Sequence, residues 1–160
     1  MKHLKDYKLF ESRSKIKDYD VNQLLKDIEL EYDIKIKVKS NLGEQRGYAI
    51  CDKNTVVISD KLLTNVSSLF KTVLHEAGHI YCTRKGIFKN YHRPTRIEIE
   101  DMSPELKSNI IKIGLKAERY VDRWAATELY KWNKRLKYDY RYSKPDIHKK
   151  YNNLYLSQFR

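Results

Sequence analysis

Val66-Ser-Ser-Leu69-Phe70-Lys-Thr-Val73-Leu74-His75-Glu76-Ala77-Gly78-His79-Ile80-Tyr81-Cys82-Thr83 carries apolar residues at 66, 69, 70, 73, 74, 77, 80 and 81. That interval repeats one face of a helix. His75-Glu76-Ala77-Gly78-His79 lies inside it and has the form H-E-x-x-H. Residues i and i+4 share a helical face, so both imidazoles can converge on one small cation. Glu76 lies beside that face, within reach of a water attacking a bound carbonyl. With 5 His and 10 Glu in 160 residues, the pattern arises by chance about 1 time in 100. The plain alternative is an amphipathic helix with two satisfied histidines. Both histidines sit among core positions, however, where unpartnered imidazoles are costly. Gly78 costs a helix about 1 kcal/mol against Ala, so a neighbouring segment is expected to approach closely there.

A catalytic zinc site needs a third protein ligand and one open position. Ala117-Glu118-Arg-Tyr-Val121-Asp122-Arg-Trp124-Ala125-Ala126 supplies one. Ala117, Val121, Trp124, Ala125 and Leu129 form an apolar stripe, with Glu118 and Asp122 one turn apart at its edge. A cation would satisfy Glu118, and Asp122 would accept the free N–H of a ligand histidine and fix its tautomer. On the plainer reading both carboxylates pair with Arg119 or Arg123 on a solvated face. His92, 13 residues after His79 in Asn90-Tyr91-His92-Arg-Pro, is the rival third ligand. His92 and Tyr91 are also candidates to steady a tetrahedral oxyanion, or are simple loop residues. A metzincin is excluded, because Cys82 and Lys85 stand where it needs glycine and a third histidine. His3 and His148 belong to no constellation.

Leu74-His-Glu-Ala-Gly-His79 followed by Glu118-x-x-Val-Asp122-x-Trp-Ala125 resembles the ImmA/IrrE-type zinc metallopeptidases of bacteria, phages and mobile elements. Their pattern is H-E-x-x-H, then E-x-x-A-N/D-x-F-A on a later helix, with a strand such as Thr55–Ser59 before the first. The resemblance covers roughly residues 20–130. It implies a gluzincin site for one Zn2+ ion, with His75, His79 and Glu118 as ligands and Glu76 as general base. It also implies a protein substrate, such as a helix-turn-helix repressor. The segment between His79 and Glu118 is long for the family. Glu128-Leu-Tyr-Lys-Trp replaces the family's Leu-Met-Pro-like ending, so the resemblance speaks to the metal site more than to the substrate side. The His79–His92 spacing is similar to that of SprT-like proteases acting on DNA-bound proteins, but the sequence expected after that histidine is missing. A non-catalytic zincin-fold binding module is the third reading, and an intact Glu76 argues against it.

The rest of the chain frames this site. Asp20 begins a helix over 20–32, Ile34–Lys39 alternates as a strand, and Tyr48–Cys51 with Thr55–Ser59 reads as a hairpin. Val56, Val57 and Ile58 are expected at a sheet edge, pairing with an extended substrate. Ile97-Glu-Ile suggests a short strand. Ser103-Pro104 starts a helix through about Trp132, with a break near Gly114, and Pro145 precedes a last helical stretch over 146–157. The expected fold is α+β and zincin-like, a small three-stranded sheet packed on the H-E-x-x-H helix and a second ligand-bearing helix. Its domain would be residues 1–132, with 1–19 as an arm and 133–160 as a basic, Tyr-rich extension.

Charge supports that division. The net charge is +12, but residues 40–130 carry only +3 and residues 131–160 carry +7. Six of 13 tyrosines lie between Tyr130 and Tyr155. Such a segment can follow phosphates and stack on bases, so nucleic acid is a candidate partner of the extension. The plainer reading docks those tyrosines on the body. No apolar run approaches the roughly 18 residues of a membrane span. No secretory signal is read at Met1–Lys8, and two cysteines are too few for a disulfide scaffold. A cytoplasmic enzyme without a membrane partner is the expectation.

Overall fold

The computed structural model describes residues 20–89, Glu98 and residues 100–141. The arm over 1–19, Tyr91 and His92, and the extension beyond Arg141 lie outside the described residues. What is described is α+β, with three helices and a three-stranded mixed sheet. The chain divides into two compact units, one ending at Ile34 and one starting at Lys35.

In the first unit, helix α1 spans Val21–Tyr32 and buries Leu24, Leu25 and Ile28. Asp20 caps it, accepting the Asn22 N–H at 3.0 Å. It stops where Asp33 turns left-handed (φ 51°). The Ile34 N–H then reaches back to the Glu29 carbonyl at 3.1 Å, closing the last turn.

The second unit opens with the sheet, in which β1 is Lys35–Lys39, β2 is Gly47–Ile50 and β3 is Thr55–Ser59. β2 and β3 form the expected hairpin, pairing Ile50 with Thr55 and Gly47 with Ile58. β1 pairs with the other side of β3 in parallel, Lys35 opposite Thr55. The order is therefore β1-β3-β2. This corrects the expectation for Val56, Val57 and Ile58. They form the middle of the central strand, both sides of which are taken, and every β3 residue is buried. A run of apolar residues without alternation is the mark of a strand covered on both faces. Among the described strands, β1 and β2 are the outer two. β1 presents Lys35, Lys37 and Lys39 to solvent, which discourages pairing with another strand.

β2 and β3 pack on helix α2, Val66–Arg84. A methyl group on Gly47 would lie 2.8 Å from the Val57 carbonyl oxygen and 3.1 Å from Thr72 Cγ2, so glycine is what admits β2 this close. Asn65 caps α2, accepting the Ser68 N–H at 3.0 Å. The helix closes through Gly86, whose φ of +65° favours glycine. Arg84 Nε donates to Asn54 Oδ1 at 3.1 Å, tying the helix end to the hairpin turn.

Helix α3 runs from Pro104 to Leu136. Ser103 caps it, accepting the Leu106 N–H at 3.3 Å. No break occurs at Gly114, which is buried inside the helix. Packing along the stripe Ala117, Val121, Ala125, Leu129 and Trp132 outweighs the weak helix preference of one glycine. Of the strand expected at Ile97-Glu-Ile, Ile97 and Ile99 lie outside the described residues, and Glu98 between them has helical backbone. Three alternating residues are too few to separate the two periods.

α3 continues past Trp132, the end expected for the domain, to Leu136. Trp132 is 2% exposed and meets Phe70 edge-on at 5.5 Å. The chain turns at Lys137 (φ 58°) and folds back. Asn133 holds Tyr140 by two hydrogen bonds, of 2.7 and 3.3 Å. The Tyr140 ring lies 6.4 Å from Phe70. Trp132 and Tyr140 thus pack on the body. No described helix is long and apolar enough to cross a membrane.

Candidate metal centre

α2 and α3 meet where Gly78 faces Val121. A methyl on Gly78 would lie 2.9 Å from Val121 Cγ1 and 3.1 Å from Trp124 Cε3. The close approach expected from Gly78 is therefore made by α3. It brings His75 and His79 opposite Glu118 and Asp122.

Three atoms converge there. His75 Nε2 and His79 Nε2 are 3.3 Å apart. Glu118 Oε2 is 3.3 Å from the first and 3.5 Å from the second. The imidazole planes cross at 80°, so the rings point at one spot without stacking. His75, His79 and Glu118 form a group able to hold a metal ion, and no other such group occurs among the described residues. Glu118 Oε2 is buried and accepts no hydrogen bond from them. An orphaned carboxylate oxygen is costly unless something positive meets it.

His75 is the fixed member. It is 7% exposed, and its Nδ1 lies 2.9 Å from Asp122 Oδ1. With Nδ1–H donating to that carboxylate, the Nε2 lone pair is turned toward the cluster. The sequence left open which histidine Asp122 would serve; the structure assigns it to His75. Glu76 is half-buried on the next position, near enough for its charge to act on His75. Cys82 stays outside the group. Burial, with the nearby Cys51 and Glu118, pushes its thiol to about 11, which keeps it protonated and unreactive.

Without a cation, the site holds itself together with protons. Burial lowers the His75 pKa, but the neighbouring carboxylates of Asp122, Glu118 and Glu76 outweigh it, raising the pKa from 6.5 to about 10. Burial raises that of Glu118, and the two histidines outweigh it, holding the carboxyl well below the usual range. The signs define a window. The raised His75 pKa adds stability that is complete below 6.5 and lost as pH rises through about 10. The depressed Glu118 pKa adds stability present above 4.5 and lost as pH falls through its folded value. The metal-free fold should gain most from this site between those limits. A metal must displace the proton held on His75. Uptake at pH 7 is expected to release about one proton per ion, read by titration calorimetry in buffers of different ionisation enthalpy. Release of none would mean that His75 is already neutral.

Comparison of the chain with protein-family models, curated proteins and solved structures finds no match. The functional reading rests on the residues themselves.

Proposed function

We propose that the protein is a zinc-dependent metalloendopeptidase with a zincin-like fold, acting on a protein substrate. The observation that carries this is the triangle of His75 Nε2, His79 Nε2 and Glu118 Oε2, with sides of 3.3, 3.3 and 3.5 Å. Ligands about 2.0–2.1 Å from a tetrahedral zinc ion stand roughly 3.3–3.4 Å from one another. Two nitrogens and one oxygen are also the donor set zinc accepts, and three protein ligands leave a fourth position for chemistry.

A zinc ion held there supplies Lewis acidity, polarising a peptide carbonyl and acidifying water. Glu76 takes the proton of the attacking water and delivers it to the departing amine. Asp122 keeps His75 in one tautomer and orientation. The strand available to an extended peptide is β2, whose outer edge pairs with no described strand and which packs on α2. Main-chain pairing there would give affinity without demanding a particular sequence. A repressor as substrate rests on the motif resemblance alone.

Incubating the zinc-loaded protein with a peptide library should yield fragments by mass spectrometry. 1,10-Phenanthroline should stop the reaction and added zinc restore it. A protein that binds zinc at this site yet cleaves nothing would be the binding module instead.

A further inference from the structure

Gly78 and Val121 occupy matching places on their helices. Gly78 is three residues after His75 and one before His79, and Val121 is three after Glu118 and one before Asp122. Their contact is therefore flanked on each helix by the residues that face the metal centre.

The contact has little slack. A methyl on Gly78 would meet Val121 Cγ1 at 2.9 Å, where ordinary contact begins at 3.4 Å. Val121 is β-branched, and one χ1 rotamer dominates in a helix, so it cannot swing aside cheaply. Trp124, at 3.1 Å from that methyl, is stacked on Tyr81 at 5.2 Å with the planes 22° apart. The Val121 carbonyl oxygen, 3.5 Å away, is backbone and moves only with the helix. An added methyl must push α3 outward by about 0.5 Å, since packed interiors hold no void to absorb it. Glu118 rides on α3 and both histidines ride on α2. Any such shift lengthens the two histidine–Glu118 sides of the triangle and leaves the histidine–histidine side unchanged.

We propose that Gly78 is a positioning residue that sets the size of the ligand triangle, and through it the preference for a small ion over a larger one of equal charge. This rests on the reading of the site as a zinc site. Zinc and cadmium separate the two ideas, because cadmium is the larger and both would use the same ligands. A variant that is merely less stable should lose both ions alike.

The test measures zinc and cadmium dissociation constants by chelator competition for wild type, Gly78→Ala and Gly78→Ala/Val121→Ala. Gly78→Ala is expected to weaken zinc by about 10–100-fold, the range for a lost ligand support. Cadmium should weaken less, lowering the zinc-to-cadmium affinity ratio by about tenfold. Removing Val121 Cγ1 in the double variant should restore most of the ratio. An unchanged ratio in folded Gly78→Ala overturns the inference while leaving the zinc site intact. Wild type that binds no zinc overturns both. Should Gly78→Ala fail to fold by circular dichroism, Val121→Ile crowds the same contact from α3 and carries the test. A lowered ratio supports the inference, and an unchanged one overturns it.

Discussion

Alanine at position 118 is expected to abolish stoichiometric zinc binding. Glu118 supplies one corner of the triangle, and its Oε2 is the buried atom without a hydrogen bond among the described residues. Removing an outer support of a metal ligand costs about 10–100-fold in affinity, so loss of the ligand itself should exceed that range. His75 would keep its 2.9 Å contact with Asp122 and His79 its place on α2, leaving two nitrogens with no protein oxygen. Two ligands hold zinc far less well than three, and the open position would no longer be the only one. Elemental analysis after dialysis should therefore find about one zinc per wild-type chain and almost none in Glu118→Ala. The same measurement on His92→Ala should find zinc retained. The reverse pattern would move the third ligand to His92 and the protein toward the SprT-like arrangement.

The second large effect is at Glu76. Glu76→Gln keeps the shape of the side chain and removes its ability to take a proton. Glu76 is not a corner of the triangle, so zinc content should match wild type. Peptide hydrolysis should fall by about 10²–10⁴-fold, the usual worth of a positioned general base. The pairing of the two readouts matters more than either alone. Lost activity with lost zinc would show only that the site was disturbed. Retained zinc with undiminished cleavage would falsify the role given to Glu76.

The features that carry this account differ in how plainly the sequence shows them. α2 is long, and its apolar positions recur from Val66 to Tyr81, so its period is unambiguous. Gly78 stands out because a helix tolerates glycine in its interior only for a reason, and the reason is the 2.9 Å gap to Val121. Glu118 and Asp122 stand out because paired carboxylates beside an apolar stripe need partners. Which histidine Asp122 holds was not legible, since both are one turn apart on the same face and only the crossing of the helices decides. The place of β3 in the sheet was obscured by its position in a hairpin, which says nothing about a third strand. The unbroken Val56-Val-Ile58 run signals a strand covered on both faces, but only the parallel pairing of β1 shows that its second edge is taken. Trp132 and Tyr140 looked like a basic aromatic surface because charge and ring alternate along the chain. Folding sorts them: the rings turn to Phe70, while the guanidinium of Arg135 lies over Trp132 at 3.6 Å.

The central claim is that His75, His79 and Glu118 together hold one zinc ion. Diffraction from zinc-soaked crystals, recorded on both sides of the zinc absorption edge, tests it most directly. The account predicts one anomalous peak within about 2.0–2.3 Å of His75 Nε2, His79 Nε2 and a Glu118 carboxylate oxygen. A fully soaked crystal with no peak between these residues, or with a peak ligated by His92 in place of Glu118, would contradict it.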